Sequence, residues 1–419
     1  MTEVGASSGP VARGSMARVG TATALTALCG YAVIYLAARD LAPRGFSIFG
    51  VFWGAFGLVT GAANGLLQEA TREVRSASHL SDLGAAPVRH THPLRVGAMV
   101  GVAAAVVIAG SSPLWSGRVF VEARWLSVGL LSVGLAGFCL HATLLGVLAG
   151  TNHWTQYGSL MVTDAVIRVM VAAATFVIGW GLTGFLWATV AGAAAWLIIL
   201  AASPKARVAA RLLTPGGTAT FLRGAAHSIT AAGASAILVM GFPVLLKLTS
   251  TELGAQGGVI ILAVTLTRAP LLVPLTAMQG NLIAHFVDER SDRVRALIAP
   301  AAIIGGIGAV GVLAAGVVGP WLLRVAFGPQ YQASSALLAW LTAAAVAIAM
   351  LTLTGAAAVA AALHRAYALG WVGATVASGL LLLLPLPLQT RTEVGLLCGP
   401  LVGIGVHLVA LSRAGRLTG

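Results

Sequence analysis

Residues 252–290 read ELGAQGGVIILAVTLTRAPLLVPLTAMQGNLIAHFVDER. Between a polar start and the closing Asp288-Glu289-Arg290 lies an apolar run long enough to cross a bilayer, which takes about 20 residues. Such a run leaves a chain few options. Backbone N–H and C=O groups find no water inside hydrocarbon, so the segment crosses as a helix. This one also carries Arg268, Pro270 and Pro274, and it closes in Gln279-Gly280-Asn281. An earlier stretch repeats its plan, DLAPRGFSIFGVFWGAFGLVTGAANGLLQEATREVR from Asp40 to Arg75. Asp40-Leu41 with Gly45 matches Glu252-Leu253 with Gly257. Ala62-Ala63-Asn64-Gly65 matches Ala277-Met278-Gln279-Gly280, and Glu73-Val74-Arg75 matches Asp288-Glu289-Arg290. The same helix occurs once in each half of the chain. Repeats of this kind are a common way to build transporters.

Similar apolar runs recur at about 19–38, 47–68, 96–115, 125–149, 157–180 and 182–202. Six more follow at about 218–247, 257–286, 295–324, 335–361, 366–387 and 393–412. The expectation is an all-α polytopic membrane protein with about twelve spanning helices. Its parts are a disordered N-terminus (1–17), a first lobe (18–202), a cytoplasmic linker (203–217) and a second lobe (218–419). The first run is too long for a signal peptide and a second follows at once, so it reads as a retained helix. Composition agrees: 58% of residues are hydrophobic and 9% charged, with mean hydropathy +0.93. A soluble domain carries about 25% charged residues.

The net charge of +13 is spread between the runs, which is a topological signal and not a nucleic-acid patch. With both termini inside, sixteen of the 25 Lys and Arg residues fall on the cytoplasmic side and seven on the other. Arg168 and Arg268 remain within the membrane. Cys29, Cys139 and Cys398 each sit in an apolar run and form no disulfide or metal pattern. The linker carries Arg207, Val208, Arg211 and Leu212 at helical spacing. A short helix on the inner leaflet and a plain basic loop are both open readings there. His90 and His92, with no Cys or acid beside them, make a weak metal signal. Two lysines against many arginines hint at a GC-rich bacterial genome.

The polar residues inside the runs are the candidate site. An arginine at the centre of a spanning helix costs about 2.5–3.5 kcal/mol on insertion scales, so it faces a cavity or a partner. Pro270 and Pro274 withhold N–H donors from the helix around Arg268. Gln279, eleven residues on, shares its face at 3.6 residues per turn. That polar stripe reads as the wall of a wet cavity, with Arg268 not needed to hold helices together. Arg223 and His227 lie one turn apart in the seventh run, Asn64 echoes Gln279, and Glu69 with Arg72 closes the second run. Asp164 and Arg168 stand four apart, acid first, the favourable order for a pair on one helix face. Two readings of Asp164 stand: a proton or cation coupling site, and mutual neutralisation with Arg168. Gly30, Gly54, Gly57 and Gly61 read as helix contact surfaces. No phosphate loop and no nucleophile with its base are present in the sequence, and no enzyme activity, cofactor or metal is expected.

Arg39-Asp40-Leu41-Ala42-Pro43-Arg44-Gly45, followed by a helix ending Glu69-Ala70-Thr71-Arg72, resembles the multidrug/oligosaccharidyl-lipid/polysaccharide (MOP) exporter superfamily. The match is to its polysaccharide-export and lipid-linked oligosaccharide flippase branch. The repeat at 252–290 and the six-plus-six plan extend the resemblance over nearly the whole chain. It implies two six-helix lobes related by a pseudo-twofold axis, MATE-like. It also implies a cavity lined by helices one, two, seven and eight that opens alternately to each side, with Arg268 and Arg223 facing it. The expected function is a flippase for an anionic polyprenyl-phosphate-linked sugar or oligosaccharide in the bacterial cytoplasmic membrane, serving cell-envelope polysaccharide assembly. The substrate-binding residues would be Arg268, Arg223, His227, Gln279, Asn64 and Arg72, with Asp164 as the ion-coupling residue. Expected partners are the polyprenyl-phosphate-linked glycan, membrane lipid and envelope glycosyltransferases, and no nucleic acid. The alternatives are a MATE-type drug or cation antiporter, a membrane glycosyltransferase, and an envelope scaffold without transport.

Overall fold

The structure, a computed structural model, describes residues 10–82, 90–288 and 293–418. Two breaks organise the spanning helices. The first is at Ala42, whose φ of 51° and ψ of 172° interrupt one long helical stretch just before Pro43. The stretch is therefore two spans, α1 (10–41) and α2 (43–82). The second break is in α7, where Thr218–Val239 and Phe242–Leu248 meet at 68°. The remaining spans are α3 (Pro93–Val119), α4 (Arg124–Gly150), α5 (Trp154–Ile178), α6 (Gly181–Ala202), α8 (Gly254–Asp288), α9 (Ile298–Phe327), α10 (Ser335–Ala360), α11 (His364–Leu382) and α12 (Leu388–Thr418).

Among the described residues, nine helices are long and apolar enough to cross a membrane, or ten if bent α7 counts as one. Dividing the first at Ala42 and adding α11, whose 19 residues rise about 28 Å, gives the twelve that the sequence predicts. The helix α1 begins at Pro10, so 10–17, expected to be disordered, is helical. Residues 1–9 lie outside the described residues.

The packing repeats between the two halves. The α1–α2 stretch packs against α4 and α5, α3 against α4, and α5 against α6. Correspondingly α8 packs against α10, α7 against α11, α9 against α10, and α11 against α12. The α2 and α8 helices, which carry the sequence repeat, thus occupy equivalent positions. Lipid-facing surfaces follow from the same plan: only 6% of the most apolar window of α9 is buried, against 61% for α10. Between α6 and α7 the linker is ordered. Ser203 caps a helix, Pro204–Ala210, by accepting the Ala206 N–H at 3.3 Å. Arg207 turns back to the Ala201 carbonyl at 2.8 Å, and so ties off the end of α6. Thr214–Pro215 then pairs antiparallel with His90–Thr91, which gives His90 a strand position.

The halves meet along α2 and α7. Gly54, Gly57, Gly61 and Gly65 repeat every three or four residues, one face of α2, and lie against Pro243, Met240, Ala236 and Ile229 of α7. A methyl group at Gly65 would overlap the backbone of Ser228 and Ile229, so the two backbones approach as closely as glycine permits. Gly30 does not share this role. Nothing lies within 4 Å of the position its Cβ would take. At the end of the bundle holding the Ala42 break, the halves are joined by aromatic side chains. Tyr331, fully buried between α9 and α10, donates to the Ala38 carbonyl of α1 at 2.9 Å. Its ring meets Phe46 edge-on at 6.3 Å and Phe327 at 6.1 Å, while Tyr35 contacts Phe327 at 5.6 Å.

Candidate binding cavity

Broken helices leave carbonyls without donors, and the break in α7 explains where Arg268 sits. Pro243 has no N–H to give the Val239 carbonyl four residues before it. Arg268 supplies the missing donor across the gap between α7 and α8. Its Nη1 donates to Val239 O at 2.8 Å and to Leu238 O at 3.3 Å. The guanidinium also lies over the Phe242 ring, 5.4 Å from its centroid. Arg268 is 7% exposed, and its Nη2 is enclosed with no hydrogen-bond partner. The expectation that Arg268 holds no helices together is thus corrected, because it anchors α7 to α8. No acidic side chain pairs with it among the described residues.

Beside Arg268 is a cavity of about 190 Å³. Its wall is built from α1 (Tyr31, Ile34), α2 (Phe46, Phe49, Trp53), α7 (Met240, Pro243) and α8 (Thr265, Ala269, Leu272). These are the four helices that the resemblance implies. Aromatic and aliphatic side chains form most of the surface, and Arg268 is the one charged residue in the described wall. Sequence reasoning missed Tyr31, Trp53 and Thr265. Trp53 offered a signal, since it lies inside an apolar run and away from the ends where interfacial tryptophans gather.

The other candidates are not brought to this cavity. Arg223 and His227 are exposed, and the His227 ring Nδ1 sits 2.7 Å from the Arg223 carbonyl on their own helix. Asn64 is half-buried on α2, near the glycine seam and absent from the cavity wall. Arg72 is held elsewhere: its Nη2 donates to Glu69 at 2.6 Å and to Glu73 at 3.1 Å. Glu69 is buried and fits the space left by Gly224 of α7. Gln279 lies within helix α8, and its side chain is outside the described residues.

Asp164 and Arg168 form a buried pair inside the first half. Arg168 Nη2 and Nε reach Asp164 Oδ1 at 2.9 and 3.1 Å, and Nη1 donates to the Thr189 carbonyl of α6 at 2.8 Å. Gly192 makes the room, since a Cβ there would strike Asp164 and Arg168. His141 of α4, 3% exposed and stacked on Phe138 at 5.3 Å, stands nearby with Nδ1 unpartnered. Every guanidinium nitrogen of Arg168 therefore has an acceptor, which is the geometry of neutralisation within the lobe.

No protein-family model matches the chain. It is 83% identical over 409 residues to uncharacterized protein Rv3630 of Mycobacterium tuberculosis, covering 98% of this chain and 94% of that one. It is equally similar to uncharacterized protein Mb3654 of Mycobacterium bovis, and 74% identical over 416 residues to uncharacterized protein Rv1510 of Mycobacterium tuberculosis, covering 99% and 96% of the two chains. Among solved structures, it matches the inward-facing conformation of a multidrug resistance MATE family transporter of the MOP superfamily, with TM-score 0.74, 15% identity and 96% of both chains covered. An outward-facing conformation of such a transporter matches with TM-score 0.65, 16% identity and the same coverage. A MOP superfamily transporter from Pyrococcus furiosus, described by a reverse polarity of its binding pocket, matches with TM-score 0.64, 13% identity and 96% of both chains covered. This chain is a multi-pass membrane protein that belongs to one family with the mycobacterial proteins Rv3630, Mb3654 and Rv1510 and carries the fold of the MOP superfamily transporters.

Proposed function

We propose that the protein is a flippase that moves an anionic polyprenyl-phosphate-linked sugar across the bacterial cytoplasmic membrane by alternating access. The observation that carries this reading is Arg268, a buried cation with one unpaired nitrogen beside a central cavity whose described wall holds no acid. A guanidinium so placed favours a phosphate, which it grips through directed N–H donors. A cationic drug would meet net positive charge there, which disfavours the antiporter alternative. The apolar remainder of the wall suits a prenyl chain that stays partly in the bilayer. The better match to an inward-facing neighbour, together with the aromatic closure around Tyr331, supports reading this state as open toward the cytoplasm. Both termini then lie in the cytoplasm, and the envelope glycosyltransferases that make or use the lipid-linked glycan are the natural partners.

Arg268→Gln is the test. Glutamine keeps a neutral amide donor on this face of α8, while the charge is gone. Transport of a labelled polyprenyl-phosphate sugar in proteoliposomes is expected to fall by the equivalent of about 1.5–3 kcal/mol, the range for hydrogen bonds to charged groups. Transport is read per reconstituted protein, because Arg268 also anchors α7 to α8. Normal transport by Arg268→Gln would remove the main support for an anionic substrate.

A further inference from the structure

When a cavity closes around its cargo and water is excluded, an ion left without a partner is strongly penalised. Lys247 and Arg391 are held by carbonyls and Ser250 and lie outside the described wall of this cavity. Arg168 is neutralised by Asp164, Arg72 is shared between Glu69 and Glu73, and Arg223 is exposed away from the cavity. In this cavity Arg268 has no acidic partner among the described residues, and one nitrogen, Nη2, lacks an acceptor. Further along α8, residues 276–287 add no acid and no lysine or arginine. The described cavity wall therefore carries one positive charge, and the unpartnered Nη2 behind it is enclosed in this state.

Resting on the flippase reading above, we infer that the translocated headgroup carries a single negative charge. The substrate class is a sugar joined to polyprenol through one phosphodiester, not through a diphosphate. A phosphodiester has one ionised oxygen and matches Arg268 alone. A diphosphate diester carries two negative charges, and the second would enter the cavity without a counter-ion. The aromatic faces of Tyr31 and Trp53 in the same wall give the sugar ring an apolar surface to lie on.

The test compares two fluorescent lipids with the same sugar and the same prenyl chain, one a monophosphate and one a diphosphate. The full chain is reconstituted in proteoliposomes, and flipping is read by an impermeant quencher. The monophosphate is expected to move at least tenfold faster. Thr265→Lys places a second cation one turn before Arg268 in the cavity wall and is expected to narrow that ratio at least tenfold. Equal rates, or a faster diphosphate, with the unaltered protein would overturn the single-charge inference and leave the flippase reading standing. An unchanged ratio in well-reconstituted Thr265→Lys would also overturn it. If neither lipid moves faster than in protein-free vesicles, both the inference and the flippase reading fall. The comparison on the unaltered protein decides even where the variant folds poorly.

Discussion

Tyr331→Phe removes one oxygen from the contact that joins the two halves at the end holding the Ala42 break. Phenylalanine keeps the ring, so the edge-on contact with Phe46 and the packing on Phe327 persist. What is lost is the hydrogen bond from the Tyr331 hydroxyl to the Ala38 carbonyl, 2.9 Å long and fully buried. A buried hydrogen bond contributes about 0.5–1.5 kcal/mol net, and more where the remaining group is left unpaired. The donor sits between α9 and α10 and the acceptor on α1, so the bond exists while the halves meet at this end and breaks when they part. Its loss then appears in the conformational equilibrium instead of in the stability of either half. At about 1.4 kcal/mol per tenfold, Tyr331→Phe should shift the balance by about two- to tenfold toward the state parted at this end. Spin labels at Arg44 and Glu252, exposed residues whose side chains meet across the halves at 3.8 Å, report the separation directly. The long-distance population should rise in Tyr331→Phe with no change in thermal stability. An unchanged distance distribution in stable protein would refute the idea that this bond holds the end closed.

Two further outcomes follow from the geometry. Arg168→Ala leaves Asp164 buried without its cation and should destabilise the protein by about 3–5 kcal/mol, seen as a lower melting temperature, whereas Arg168→Gln with Asp164→Asn should recover most of that loss; gradient-dependent transport that survives in the stable double variant rules out Asp164 as the coupling site. If the excess of basic residues sets the orientation as proposed, a cysteine at position 82, at the far end of α2, should resist a membrane-impermeant thiol reagent applied to intact cells and react after permeabilisation.

The number and type of spanning elements were legible in the sequence because hydrocarbon imposes a local rule. Every backbone polar group must be satisfied within its own segment, so run length alone marks a helix. The equivalence of α2 and α8 was legible for a related reason, since a duplicated helix keeps its polar ends where each half meets water. The Asp164–Arg168 pair was likewise local, four residues apart on one helix. The site was not. Arg268 finds its acceptors at Leu238 and Val239, about thirty residues earlier, because Pro243 happens to leave a carbonyl free opposite it. Arg223 and Asn64 looked equally suitable as sequence, yet Arg223 is exposed and Asn64 lies near the glycine seam, both outside the described cavity wall. Gly30 has the same composition signal as Gly61, and only at Gly61 would an added Cβ meet another helix. Tyr331 reaches Ala38 across 293 residues. Solvent sets which segments are helices, one segment at a time. Which polar groups meet inside the bilayer depends on how the helices pack, and local sequence does not carry that register.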